Sequence, residues 1–110
     1  MNNKGIDMEL TSKQRAQLKG IASSTDTIMQ IGKEGITDNV VASAADMLRA
    51  RELIKVKVLE SCMLTPAEAC EELASDCDAV PVQVIGTKFV LYKRNNKNPK
   101  IQLIKDRKPK

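Results

Sequence analysis

The sequence predicts a single α/β domain of order α-β-α-β-α-β-β, a four-stranded mixed sheet packed with helices. Three observations carry this expectation. From Leu53 to Leu59 the chain alternates: Ile54, Val56 and Val58 point one way and Lys55 and Lys57 the other, the period-two pattern of a strand with one wet face. Thr65-Pro66-Ala67-Glu68 joins an N-cap, a proline at the first helical position and a capping glutamate, which starts a helix between strands. The apolar runs Val80 to Ile85 and Lys88 to Lys93 flank Gly86-Thr87, a two-residue hairpin turn whose glycine tolerates a positive φ.

The remaining elements follow in order. Residues 1–9 are expected as a flexible lead-in. Thr11 caps a first helix, with Gln14 as its capping-box partner and Leu18, Ile21 and Ala22 on one face. That helix ends between Ser23 and Asp26, and Thr27 to Ile31 forms a short buried strand. Thr37 caps a second helix, whose Val40, Val41, Ala44 and Leu48 recur at helical spacing. The third helix runs to about Ser75. The domain extends to residue 104, with a short extended piece at Ile101 to Ile104, and residues 105–110 form a basic tail. Two strand–helix–strand units imply parallel neighbours with right-handed crossovers, and the hairpin adds an antiparallel pair. Were all helices on one face, Lys55, Lys57 and Gln83 would line the other.

Composition narrows the function. A chain of 110 residues suits one core. Phe89 and Tyr92 are its only aromatics, too few to bind bases mainly by stacking. The net charge of +4 is unevenly spread. Lys and Arg dominate from Lys88 to Lys110, whereas Glu60, Glu68, Glu71, Glu72, Asp76 and Asp78 lie in a stretch without a cation. Such polarity favours an oriented contact with a polyanion over a general coating. Cys62, Cys70 and Cys77 form no Cys-x-x-Cys pair and there is no histidine, so no metal or other cofactor is expected. No secretory signal or membrane-length apolar run is visible, and reduced thiols suit a cytoplasmic protein. Without histidine, or a serine or cysteine beside an obvious base, no enzyme and no small-molecule substrate are expected.

The candidate site is Gly32-Lys33-Glu34-Gly35, a glycine loop between a strand and a helix N-terminus. Backbone amides and the positive end of the helix dipole converge at such a junction, which suits a phosphate. The two glycines also suit a plain tight turn, and the spacing is too short for a nucleotide-binding P-loop. A Gly-x-x-Gly loop does match the clamp that some RNA-binding modules place on a nucleic-acid backbone. On the first helix, Arg15 and Lys19 lie one turn apart with no acid between Leu10 and Thr25. Their repulsion would be relieved by a bound polyanion.

These residues converge on a family. The chain resembles the YhbY proteins, single-domain members of the CRM (chloroplast RNA splicing and ribosome maturation) group, from about Leu10 to Ile104. The resemblance rests on Leu10-Thr11-Ser12-Lys13-Gln14-Arg15, on Gln30-Ile31-Gly32-Lys33-Glu34-Gly35-Ile36-Thr37-Asp38-Asn39-Val40, on Glu52-Leu53-Ile54-Lys55-Val56-Lys57-Val58, and on Val84-Ile85-Gly86 with Val90-Leu91-Tyr92-Lys93. It implies a fold similar to the C-terminal domain of bacterial translation initiation factor three. It also implies non-catalytic binding of ribosomal RNA in precursors of the large ribosomal subunit. The implied RNA contacts are Gly32, Lys33 and Gly35 with Lys13, Arg15 and Lys19, and no membrane is involved. The alternative is a protein-interaction module docking on ribosomal proteins or assembly factors. In one respect the chain departs from the family: the position after the loop lysine, often glycine there, is Glu34 here.

Overall fold

Seven elements form in the expected order: α1 (Ser12–Ser23), β1 (Met29–Ile31), α2 (Asp38–Arg51), β2 (Leu53–Val58), α3 (Pro66–Cys77), β3 (Val80–Ile85) and β4 (Lys88–Tyr92). The computed structural model describes residues 10–95, 97, 101 and 103. The lead-in 1–9 and the tail 105–110 lie outside the described residues.

Local chemistry starts each helix where the sequence placed it. Thr11 Oγ1 accepts from the Gln14 amide and Gln14 Oε1 from the Thr11 amide, both at 3.1 Å. Thr65 and Glu68 repeat this reciprocal arrangement at 2.9 and 3.1 Å, with Pro66 at the first helical position. Thr37 caps α2 by accepting from the Val40 amide at 3.2 Å. Helix α3 runs past Ser75 to Cys77 because its end is well satisfied. Asp78 takes the left-handed conformation (φ 59°), and Lys93 Nζ donates to the Cys77 carbonyl at 2.9 Å.

The sheet has strand order β1-β2-β4-β3. Strands β1 and β2 are parallel neighbours as expected. The second strand–helix–strand unit departs from expectation: β4 lies between β2 and β3 and is antiparallel to both. Residues Phe89 to Tyr92 are all buried, so β4 needs cover on both faces and a central position. Pro81 lacks a ladder donor, which suits β3 to the edge. At the hairpin, Gly86 has φ +58° at the first turn position, the requirement of a type II′ turn.

The helices divide between the two faces. Ile54, Val56, Val58, Phe89 and Leu91 pack with α2 and α3 in the larger core, around Leu48, Leu73 and Cys70. Helix α1 covers the other face through Leu18 and Ala22, against Leu53, Val82, Val90 and Tyr92. Lys55 and Lys57 thus share their side of the sheet with a helix. Ile101 and Leu103 are not in a strand; they pack beside this second cluster.

A buried carboxylate joins the second cluster to the chain that follows β4. Glu52 is fully buried at the turn from α2 into β2, with φ 68°. Its side chain accepts from the Asn95 amide at 2.6 Å and the Ile101 amide at 2.7 Å. Its own backbone donates to the Leu48 carbonyl and accepts from the Lys93 amide. Charge-assisted bonds of this kind are worth more than neutral ones, and an orphaned buried amide is costly.

Glu52→Ala is therefore expected to cost about 2–4 kcal/mol in urea unfolding. Glu52→Gly, which relaxes the positive φ, should lose about 1 kcal/mol less. Stability should also fall in alkali. Burial, with Glu71 adding to it, pushes the Cys70 thiol from 9.0 up to about 11. Burial likewise raises Cys77, with Lys93 opposing and Asp76 adding, and raises Tyr92, with Glu52 adding and Arg94 opposing. The folded chain keeps protons that the unfolded chain has begun to release, so stability declines as pH rises from about 9 through 11. Urea melts across that range check the decline, and Cys70→Ala should make it shallower.

Candidate nucleic-acid interface

The glycine loop leaves β1 at Ile31, whose side chain is fully buried in the larger core. The Gly35 amide donates to the Gly32 carbonyl at 3.0 Å, closing a turn with Lys33 and Glu34 exposed at its centre. The two glycines serve different ends. Gly35 has φ +72°, a conformation that disfavours any side chain, so the turn itself requires it. A Cβ on Gly32 would sit 3.7 Å from Leu59 Cδ1 and Ser61 Oγ, an ordinary contact, so the fold does not demand glycine there. With Thr37 and Val40 the loop lines a cavity of about 300 Å³ at the N-terminal end of α2.

The charge of this cavity is mixed. Lys33 is set against Glu34 beside it and Asp38 in the first turn of α2. The helix dipole favours an anion, while Glu34 in the lining offsets the Lys33 ammonium and Asp38 adds negative charge in the first turn of the helix. The loop offers an open turn at a helix N-terminus with little net positive charge.

The cations of α1 are elsewhere. Lys13 and Lys19 are exposed. Arg15 is half-buried, and its Nη1 donates to the Pro81 carbonyl at 2.8 Å and the Val82 carbonyl at 3.1 Å, at the β3 bulge. It braces α1 against the edge strand. Helix α1 packs at the Leu53–Tyr92 end of the sheet, whereas the loop follows Ile31, which pairs with Val58 at the opposite end. The structure does not gather the six predicted site residues into one patch.

Two further basic places gather residues that the sequence showed only as an alternating strand and a basic stretch. One is a cavity of about 360 Å³ at the C-terminal end of α2, lined in part by Arg49, Lys93, Arg94 and Lys97. Its charge is partly committed: Arg49 pairs with Asp46, and Lys93 caps α3. The negative end of the α2 dipole also opposes an anion there. The other is an open cleft of about 670 Å³ on the sheet face beside β1, lined by Gln30, Lys57 and Lys88 among others. Its signal lies in strand register, which no local pattern reveals.

The cysteines and the acids of α3 differ in exposure. Cys70 and Cys77 are buried in the larger core, and Cys77 Sγ faces the Val41 carbonyl at 3.7 Å. Glu68, Glu71 and Glu72 are exposed on α3. Among the described residues no group of His, Cys, Asp or Glu is placed to hold a metal ion. No described helix is long and apolar enough to cross a membrane.

Comparison with known proteins places this geometry in a family. The CRS1 / YhbY (CRM) domain matches residues 10–93. The chain is 40% identical over 94 residues to the Probable RNA-binding protein YqeI of Bacillus subtilis, covering 86% of this chain and 98% of that one. It is 36% identical over 94 residues to a protein of Haemophilus influenzae named RNA-binding protein, covering 86% and 94%. The solution structure of the Staphylococcus aureus protein SAV1595 superimposes with a TM-score of 0.66 at 38% identity, covering 87% of this chain and all (100%) of that one. With the family match spanning every element from α1 to β4, the chain belongs to the CRS1 / YhbY (CRM) domain family.

Proposed function

We propose that this protein is a non-catalytic RNA-binding protein of the cytoplasm that associates with ribosomal RNA in precursors of the large ribosomal subunit. The observation that carries the reading is the family match over residues 10–93, joined to relatives that are themselves named as RNA-binding. The Gly32–Gly35 turn supports it, with backbone open to a ligand at a helix N-terminus. In this reading Gly32 lets a phosphodiester approach, Gly35 holds the turn, and Lys33 adds charge at its rim. Lys13 and Lys19 supply cations from α1, and Arg15 holds that helix in place. With no exposed aromatic platform, recognition rests on backbone and shape, with little dependence on base identity.

Binding to deproteinised large-subunit ribosomal RNA tests the reading. Four to six phosphate contacts predict a log–log salt slope of about −3 to −4. Gly32→Asp with Lys33→Glu should weaken binding about tenfold or more while the thermal midpoint stays near that of the parent. Gly35→Asp is the wrong probe, because strain at φ +72° would cost about 1–2 kcal/mol before any RNA was added. In lysate sedimentation the protein should travel with large-subunit precursors and be released by ribonuclease. Partners that survive ribonuclease would point instead to a protein-docking module.

A further inference from the structure

The face of the sheet covered by α1 is covered only in part. Helix α1 seals the Leu53, Val90 and Tyr92 positions. The next positions toward the glycine loop form a row across three strands, in which Gln30 pairs with Lys57 and Lys57 with Lys88. This row lies on the open side of the cleft beside β1. It sits between the helix that carries Lys13 and Lys19 and the end of the sheet from which the loop emerges.

The register brings the two ammonium groups close. The Lys93 amide donates to the Glu52 carbonyl and the Val58 amide to the Thr87 carbonyl, which marks the hydrogen-bonded pairs of the β2–β4 ladder. Lys57 and Lys88 therefore form a non-hydrogen-bonded pair, the type in which facing side chains approach most closely, with Cα atoms about 4.5 Å apart. Like charges directly opposite in a sheet are destabilising. No acidic side chain lines the cleft, and neither lysine side chain has a hydrogen bond or ion pair among the described residues. Lys55, two residues back on the same face, adds a third cation. The glycine loop, by contrast, sets its one lysine beside Glu34, with Asp38 following in the first turn of α2. The stronger attraction for an anion is on the sheet.

We infer that the Gln30–Lys57–Lys88 row is a second phosphodiester-binding site, which carries the RNA backbone across the open sheet face between the glycine loop and α1. The inference rests on the RNA-binding reading and specifies how the backbone runs. A phosphate above the row offsets the repulsion between Lys57 and Lys88, and the Gln30 amide adds a neutral donor at the loop side. No stacking is needed, because the contacts are to phosphate and not to bases.

The test compares the full chain with Lys57→Gln/Lys88→Gln, using deproteinised large-subunit ribosomal RNA across a salt series. Loss of two contacts should make the log–log slope shallower by about 1.4 and weaken binding about tenfold near physiological salt. The thermal midpoint of the variant should match or exceed the parent's, since a repulsive pair has been removed. Lys57→Arg/Lys88→Arg keeps the charge and should keep both slope and affinity. On the unmutated chain, RNA should shield Lys57 and Lys88 from an amine-acetylating reagent. Unchanged slope and affinity in the glutamine variant, with both lysines still acetylated under RNA, would overturn this site and leave the RNA-binding reading intact. Failure of the parent chain to bind the RNA at all would instead remove both.

Discussion

Strand β4 presents buried side chains on both faces from Phe89 to Tyr92, and the rest of the architecture depends on covering them. Phe89 and Leu91 look toward α2 and α3, while Val90 and Tyr92 look toward α1. A strand with two apolar faces cannot sit at an edge and cannot be served by helices on one side alone. That requirement sends α1 across the sheet from the other two helices and pushes β3 outward. The open cleft beside β1 follows, because α1 is too short to cover the whole of its face.

The local features of the fold were legible because their chemistry is local. Thr11, Thr37 and Thr65 each cap a helix through an amide three residues away. The alternation of β2 and the glycine of the hairpin need only neighbouring residues. Placement of α1 was not legible, since Leu18 and Ala22 would read the same on either face. The central position of β4 had a signal, its unbroken apolar run beside a proline-bearing strand, but a pairwise rule about consecutive strands hid it.

The candidate site was legible in part, and the boundary has the same cause. Gly32 and Gly35 announce a turn, yet only the backbone angles separate the glycine that the turn requires from the one that it tolerates. Arg15 and Lys19 look alike on a helical wheel, but the Arg15 guanidinium reaches carbonyls 66 and 67 residues away. Nothing in the residues around Glu52 marks it as buried. Its burial depends on amides 43 and 49 residues downstream. The opposition of Lys57 and Lys88 needs the ladder register. Sequence reading recovered the groups that act within a few residues and missed those that act across the fold.

The brace at β3 has a consequence for how the molecule behaves among its own copies. An edge strand with free amides and carbonyls is a template on which another chain can grow a sheet. Here one edge strand, β1, is three residues long. The other carries Pro81, a bulge between Pro81 and Gln83, and an arginine occupying two of its carbonyls. Each device interrupts the row that an incoming strand would need. Blunt edges of this kind disfavour the strand-by-strand addition through which copies at high local concentration would join.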